Sequence, residues 1–270
     1  MNIKENKNDS FNVGHIKMNC DNELCNNFAS PLDSFKSGFC LNINGYSGSG
    51  KTNLLVNLFS MKNKKGKKCS FKGCFHRIFF VSPSMHTIKN NIFDDIPSNY
   101  KFSNLNDFLM NYEQILDESY KDEHKHEGYA PFDKEENDKK KKKEEDPLET
   151  CVIFDDIGNE IRMNNNEKLF SALVANRRHH HISIINLTQR MMQIPPSIRS
   201  NLSHLISFKP KSIQEEEIIY EFTKLPKKHL REFFGYIFKE KFDFMLIDMS
   251  LNKSNDFKIF KKFNEIEVDF

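Results

Sequence analysis

Several features that would define other protein classes are missing from this 270-residue sequence. No apolar run approaches the ~20 residues of a bilayer-spanning helix, so a membrane protein is not expected. The N-terminus is rich in Asn, Lys and Asp and lacks the apolar stretch of a signal peptide, so we expect an intracellular chain. The 40 basic and 38 acidic residues nearly cancel, so net charge argues neither for nor against a polyanionic partner. Only a local cluster of basic residues could indicate such a partner.

Cysteine is also scarce, with six residues in the chain. A protein that is not exported keeps its thiols reduced, so no disulfide framework is expected. The pairs Cys20/Cys25 and Cys69/Cys74, with His76 nearby, could be drawn as a zinc site. Their four-residue gaps fit the two-Cys, two-His finger only loosely, and no second His follows at finger spacing. Zinc is therefore the less favoured interpretation.

The most informative feature that is present is a complete phosphate-binding loop. The pattern Gly-x-x-x-x-Gly-Lys-Ser/Thr is matched by Gly45, Tyr46, Ser47, Gly48, Ser49, Gly50, Lys51 and Thr52. The apolar run at 39–43 predicts a strand before it, and apolar residues at helical spacing predict a helix after it. This order directs backbone N–H groups and a helix N-terminus at one point, which favours a phosphate. Lys51 would reach the β- and γ-phosphates and Thr52 would ligate Mg²⁺; the alternative is a Gly/Ser-rich loop without a ligand.

Two carboxylates follow a second apolar strand, at Asp155 and Asp156. Parallel strands end at one edge of a sheet, so Asp155 is predicted to hold Mg²⁺ beside the phosphate loop. Asp156, pointing the other way along the pleat, would polarise the attacking water. Gln189 follows a further strand and suits a γ-phosphate sensor, since an amide can bond phosphate and water without changing charge. The alternative for the carboxylates is a pair that caps a turn.

Strands alternate with helices along the chain, which predicts an α/β fold with a mostly parallel sheet covered by helices on both faces. A last helix is predicted from Pro226 to Gly235, because glycine often ends helices. Tyr236–Phe238 and Phe244–Asp248 are then predicted to pair as a C-terminal hairpin.

The domain organisation is predicted from changes in composition. Residues 1–30 are polar and are expected to form a flexible N-terminal arm, residues 31–250 one ATPase domain, and residues 251–270 a C-terminal tail. Within the domain, residues 121–149 contain a lysine run between acidic runs and few apolar side chains. Such a segment cannot offset the entropy of ordering, so it is interpreted as a disordered insertion, with a solvated charged helix as the alternative.

Four motifs in this order resemble the DNA-packaging ATPases of poxviruses and other large DNA viruses, virophages and related transposons. They are Gly45–Thr52, Cys151–Asp156, Arg178-His179 with Ile184–Gln189, and Ile194–Asn201. The resemblance spans roughly residues 31–250 and places the chain in the FtsK–HerA group of P-loop motors. It implies an additional-strand P-loop ATPase that assembles as a homo-oligomeric ring. Such a ring pumps double-stranded DNA into a capsid at the site of virion assembly, in the host cytoplasm or nucleus.

The resemblance also implies roles for individual residues. Lys51 and Thr52 become nucleotide ligands for ATP and Mg²⁺, Asp155 and Asp156 the acidic pair, and Gln189 the polar sensor. An arginine finger that reaches a neighbouring subunit is implied as well, and Arg178 and Arg199 are both candidates. A capsid or portal-like component is the implied protein partner, and no membrane is involved.

Contacts with DNA are expected to involve the phosphate backbone, since no sequence-reading module is present. The run Lys62–Lys68 is the best candidate because clustered lysines release counterions from DNA, although a solvated turn is equally consistent. Lys139–Lys143 is weaker, because neighbouring acids cancel its field. The cluster Arg177–His181 is assigned to a subunit interface. Two other functions stay open: a P-loop kinase or other NTPase not acting on DNA, and a scaffold in which ATP only shapes assembly.

Overall fold

The structure is a computed structural model. It describes residues 2–6, 32–60, 70–71, 74–84, 93–94, 96–112, 149–163, 165–223, 225–250 and 257–269. Among these residues, no helix is long and apolar enough to cross a membrane.

Strands and helices alternate through the middle of the chain. The strands are β1 (Asn2–Asn6), β2 (Cys40–Asn44), β3 (Arg77–Val81), β4 (Lys101–Phe102), β5 (Thr150–Asp155), β6 (Ile182–Thr188), β7 (His204–Phe208), β8 (Phe244–Asp248), β9 (Lys258–Lys261) and β10 (Asn264–Asp269). The α-helices are α1 (Lys51–Ser60), α2 (described over 105–112), α3 (Asn166–Asn176), α4 (Pro196–Arg199), α5 (Ile213–Thr223) and α6 (Lys227–Ile237). Short 3-10 helices span Leu32–Ser34, Ser98–Tyr100 and Met191–Gln193.

All ten described strands belong to one sheet, in the order β1-β10-β9-β8-β7-β2-β6-β5-β3-β4. The six strands from β7 to β4 run parallel. The other four extend the β7 edge in antiparallel pairing. The predicted mostly parallel sheet is confirmed, and β6 lies between β2 and β5.

Both faces of the sheet are buried, which explains the continuous apolar runs of the central strands. On one face Leu41 and Ile185 pack with Leu55 of α1. On the other, Phe154 packs with Phe170 of α3, and their rings meet edge to face with centroids 4.9 Å apart. Helices α5 and α6 cover this second face where the sheet continues into β8 and β9. The two helical layers hold the strand ends in fixed positions at the sheet edge.

The C-terminal hairpin is built from other residues than predicted. Helix α6 continues through Gly235 to Ile237, so the prediction of a strand at Tyr236–Phe238 was wrong. A glycine inside a helix costs about 1 kcal/mol relative to alanine, and the buried side chains of Phe233 and Ile237 offset that cost. Strand β8 pairs with β7 and β9, and the terminal hairpin is β9–β10.

Short segments near both ends of the chain contribute strands to the sheet. Residues 2–6 form β1 and pair with β10, with Ile3 opposite Val268. Residues 257–269 carry β9 and β10. The rest of the predicted arm, to residue 31, and residues 121–148 of the predicted insertion lie outside the described residues.

A buried histidine connects the start of β7 to neighbouring parts of the fold. His204 is fully buried, with Nε2 3.0 Å from Ser34 Oγ and 3.3 Å from Asp248 Oδ1. Its Nδ1 lies 2.9 Å from Ser203 Oγ, and its ring stacks on Phe35 at 3.7 Å between centroids. Burial lowers the pKa of His204 to about 4, and the charge of Asp248 opposes that shift. The imidazole is therefore neutral in the folded protein at pH 7.

The folded protein is expected to lose stability as pH falls from about 6.5 towards 4, by up to about 1.4 kcal/mol per pH unit from this group. The unfolded chain protonates His204 near pH 6.5, whereas the folded chain resists protonation until about pH 4. The measurement is the free energy of urea unfolding across this range for wild type, His204→Gln and His180→Gln. His204→Gln should have a flatter pH dependence, whereas the exposed His180 should leave the slope unchanged. Equal slopes in all three proteins would contradict this assignment.

Candidate nucleotide site

The predicted functional residues converge at the carboxyl edge of the parallel strands. Asn44, the last residue of β2, is aligned with Thr188 at the end of β6, and Leu187 is aligned with Asp155 at the end of β5. The phosphate loop, the carboxylates and Gln189 all follow directly from these strand ends. The structure thus brings together every predicted catalytic and nucleotide-binding residue except the two arginines.

The phosphate loop is tied to the neighbouring strand where it begins. The Gly45 N–H donates to the Thr188 carbonyl at 3.0 Å, and the Ser49 N–H donates to the Tyr46 carbonyl at 3.1 Å. Gly48 and Gly50 have φ angles of 76° and 104°, which other residues adopt only with strain. The glycine pattern therefore reflects the backbone path of the loop as well as access for a phosphate.

Lys51 opens α1 and folds back over this loop. Its Nζ donates to the carbonyls of Gly45 at 2.5 Å and Tyr46 at 3.2 Å. Burial lowers the pKa of Lys51, and the charges of Asp155 and Asp156 act in the opposite direction. The two carbonyl contacts hold the ammonium over the loop, where it also interacts with the charges of the two carboxylates. Thr52 lies next to it in the first turn of α1 and is exposed.

Asp155 has the properties of a carboxylate whose charged form a bound cation would stabilise. It is half-buried, and burial raises its pKa to about 6; repulsion from Asp156 adds to the rise and Lys51 opposes it. A carboxylate and a hydroxyl are hard oxygen donors of the kind Mg²⁺ takes. Asp155 and Thr52 therefore fit Mg²⁺, which commonly completes its coordination with phosphate oxygens and water.

No larger metal cluster accompanies this pair. Among the described residues, no group of three or more His, Cys, Asp or Glu side chains is arranged to hold a metal ion. Three of the four cysteines of the zinc interpretation, Cys20, Cys25 and Cys69, lie outside the described residues.

Asp156 and Gln189 form a direct contact beside the loop. Gln189 Nε2 donates to Asp156 Oδ2 at 2.8 Å, and both side chains are exposed. Asp156 does not continue the pleat of β5 as predicted, because it has a φ angle of 57°, although its N–H still donates to the Leu187 carbonyl at 3.3 Å. This left-handed turn directs the carboxylate towards β6. A carboxylate and an amide are thus placed together where they can bind and orient one water molecule.

The loops that follow β5 and β6 also interlock, which sequence reasoning missed. Gln193 Oε1 accepts from the Arg190 N–H at 3.1 Å. A Cβ at Gly158 would lie 2.6 Å from Gln193 Cδ, so a larger residue there would force the Gln193 side chain to move. No local signal distinguishes Gln193 in the sequence, since its role depends on a residue 35 positions away.

A buried polar ladder links the loop strand to the sensor strand. Thr188 Oγ1 lies 3.4 Å from Asn42 Oδ1 and 3.3 Å from Asn44 Oδ1, and Asn186 Nδ2 donates to Asn42 at 3.2 Å. These contacts fix β2 against β6 immediately below Gly45 and Gln189. The signal was available in the sequence, because two asparagines alternate in an otherwise apolar strand.

The arginine-finger candidates follow α3 and end α4, two helices that pack on the face of the sheet opposite α1. Arg178 is exposed beside Gly38, which precedes β2, and Arg199 is the half-buried last residue of α4. Neither guanidinium has a hydrogen-bond or ion-pair partner within the described part of the chain. Arg177 is different: it is buried and donates to the carbonyls of Gly38 and Val174 at 2.9 and 2.5 Å, so it serves the fold.

Two lysine runs and one cluster of Arg and His were predicted to contact DNA or another subunit. Lys62–Lys68 and Lys139–Lys143 lie outside the described residues. In the Arg177–His181 cluster, His181 Nδ1 lies 3.4 Å from Glu149 Oε1 near the start of β5. An interface role for this cluster stays a prediction.

Together, the fold and the site define a P-loop nucleoside triphosphatase of the additional-strand class, because β6 separates the loop strand β2 from the acidic strand β5. A family model described as poxvirus A32 protein matches residues 32–241. The chain belongs to this family. The match confirms the resemblance stated from the four sequence motifs.

A solved structure supports the fold. The DNA-packaging ATPase B204 of Sulfolobus turreted icosahedral virus matches with a TM-score of 0.52 and 13% identity, over 84% of this chain and 98% of that one. The genome packaging NTPase B204 of Sulfolobus turreted icosahedral virus 2, solved with AMPPCP, matches with a TM-score of 0.48 and 17% identity over 83% and 97%. No curated protein matched the chain in sequence.

Proposed function

We propose that this protein is an ATP-hydrolysing motor that moves double-stranded DNA into a viral capsid. Hydrolysis is supported above all by the 2.8 Å contact between Asp156 and Gln189 beside the phosphate loop. A loop alone binds phosphate, whereas turnover requires groups that position and deprotonate water. Asp156 would accept the proton of the attacking water, and Gln189 would orient that water and contact the γ-phosphate.

Nucleotide binding is assigned to the loop and the start of α1. Backbone N–H groups of residues 45–52 and the ammonium of Lys51 would hold the phosphates of ATP. Mg²⁺, held by Asp155 and Thr52, would neutralise charge on the β- and γ-phosphates. The Lys51 side chain would exchange its present carbonyl contacts for phosphate oxygens, which are stronger acceptors because they are charged.

Movement of DNA is supported by membership of the poxvirus A32 protein family and by the order of the four motifs. Assembly as a homo-oligomeric ring, an arginine finger from a neighbour and a capsid or portal-like partner are parts of the same proposal. DNA would be contacted through its phosphates, because a motor must move along any sequence.

Duplex DNA is therefore expected to stimulate ATP turnover, with a strong dependence on salt. If six or more phosphates are contacted, the DNA concentration for half-maximal stimulation should rise by about 10³-fold or more between about 50 and 200 mM salt. The measurement is phosphate release with and without duplex DNA across that range, with DNA-free turnover as the control for direct effects of salt. One unchanged rate with and without DNA would contradict the motor function.

A further inference from the structure

An exposed aromatic side chain lies beside the phosphate loop and takes no part in the chemistry described above. Phe242 has 55% of its surface exposed, and it is the aromatic member of the five large apolar side chains that are exposed in the described part of the chain. The other four are Met110, Met163, Met192 and Ile213. A phenylalanine costs free energy when it is held in water, so its position calls for an explanation.

The turn that carries Phe242 is firmly anchored. The next residue, Asp243, is buried, and its Oδ1 lies 2.8 Å from Lys262 Nζ. The other carboxylate oxygen accepts from the Glu240 N–H at 2.9 Å, and the Asp243 N–H donates to the Glu240 carbonyl at 3.2 Å. These contacts lower the pKa of Asp243 against the effect of burial, so the anchor stays charged. Phe242 is thus presented at a fixed place.

That place is the flank of the phosphate loop on the β7 side. β8 begins at Phe244 and pairs antiparallel with β7, so the turn before β8 meets the carboxyl edge of the parallel strands. A Cβ built at Gly50 would lie 3.4 Å from Phe242 Cδ1 and 3.7 Å from Phe208 Cε1. The loop therefore has an apolar aromatic wall on this flank.

The opposite flank of the loop is polar. Asp155, Asp156 and Gln189 occupy it at the ends of β5 and β6. A nucleoside triphosphate bound by its phosphates must place its base on one flank or the other. Both faces of a purine base are π surfaces that can stack on an aromatic ring. Moving the base out of water therefore costs less free energy beside Phe242 than beside two carboxylates.

We propose that Phe242 is the stacking platform for the purine base of the bound nucleoside triphosphate. This assignment rests on the proposed function, since it requires phosphates in the loop, and it adds the subsite that holds the nucleoside. Lys241 Nζ lies 5.1 Å from the Phe242 ring centroid. That exposed cation–π contact is weaker than a base stack, so the base would displace it.

The test separates the nucleoside from the phosphates. Binding of Mg–ATP, Mg–GTP and Mg–tripolyphosphate is measured by calorimetry for wild type, Phe242→Leu, Phe242→Ala and Phe242→Trp. Tripolyphosphate occupies the loop but has no base. Leucine keeps an apolar side chain beside Gly50 without a π surface, and tryptophan retains stacking. Met110→Ala, which removes an exposed apolar side chain from α2, is the matched control.

Phe242→Leu and Phe242→Ala should weaken ATP and GTP binding by about tenfold, as expected for the loss of one base–aromatic stack. Tripolyphosphate binding should change less than about twofold, and Phe242→Trp should bind ATP like wild type. Equal losses for ATP and tripolyphosphate would show that Phe242 only supports the loop, and unchanged ATP binding would remove it from the site. Either result would overturn the subsite and leave the proposed function intact, whereas a wild type that binds neither ligand would overturn both.

Discussion

Asp156→Asn is expected to lower kcat for ATP hydrolysis by about 10²–10⁴-fold, the usual loss when a general base is removed. Asparagine cannot take a proton from the attacking water, but it retains the size of aspartate. ATP affinity should change little, because the loop and Lys51 are untouched. The measurement is single-turnover hydrolysis together with direct ATP binding.

Asparagine is the right replacement at this position for a structural reason. Asp156 has a φ angle of 57°, and asparagine tolerates this left-handed region better than alanine does. The amide oxygen can still accept the hydrogen bond from Gln189 Nε2 that the carboxylate accepts at 2.8 Å. A loss of activity therefore reports lost proton transfer and not a displaced sensor.

The matched control is Glu217→Gln, which neutralises an exposed carboxylate on α5 and should leave kcat at the wild-type value. If Asp156→Asn hydrolyses ATP at the wild-type rate, Asp156 is not the general base. If it fails to bind ATP, the substitution has disturbed the loop, and Asp156→Glu then distinguishes the two roles, because it keeps a carboxylate.

The family and the backbone path of the phosphate loop could be predicted because their signals are local. The glycines and Lys51 of the phosphate loop are specified by backbone geometry and phosphate chemistry within eight residues, and the structure gives Gly48 and Gly50 the φ angles that require glycine. The central strands could also be predicted, because a strand that is buried on both faces has a continuous apolar sequence. The order of these local signals was enough for the family, which the match over residues 32–241 confirms.

The C-terminal strands were harder to predict because distant contacts decide them. Gly235 is a local signal for the end of a helix, but packing of Phe233 and Ile237 against the sheet carries α6 past it. Strand β1 is polar, and its pairing with β10 joins opposite ends of the chain. Nothing within a short window of sequence specifies such a partner.

Within the site, the conformation of Asp156 was also not predicted from the sequence. The sequence placed its carboxylate at the end of β5 but assumed that the pleat continues. Its N–H still donates to the Leu187 carbonyl, as the parallel pairing of β5 and β6 provides, but its φ angle of 57° turns the chain away from the pleat. One backbone dihedral angle, which no local sequence signal specifies, thus decides which way the Asp156 carboxylate points.

The arginine finger is the remaining part of the proposed machinery, and we propose that it acts on a neighbouring subunit. Arg178 lies beside Gly38 at the amino end of β2, and this five-residue strand spans about 16 Å before the loop begins. Arg199 ends α4, which packs on α3 through a 3.2 Å contact between Ser197 and Ser171. Both arginines therefore belong to the helical layer on the face of the sheet opposite α1.

One of the variants Arg178→Ala and Arg199→Ala is expected to lose about 10³–10⁵-fold in kcat while it still binds ATP. A finger stabilises charge that develops on the transferring phosphoryl group, so ground-state binding should be nearly unaffected. Arg231→Ala, which removes an exposed arginine from α6, is the control and should keep full activity. Full activity in both test variants would exclude both residues as the finger.

Mixing two inactive proteins then tests whether the finger acts between subunits. Subunits with the inactive arginine variant retain Asp156, and Asp156→Asn subunits retain the arginine. Where the first kind supplies the nucleotide site and the second its neighbour, every group required for hydrolysis is present at one interface. The mixture should therefore recover part of the wild-type turnover, although each protein alone is inactive. If the mixture stays inactive while wild-type and variant subunits co-assemble, the arginine acts within its own subunit, and the proposed shared site is wrong.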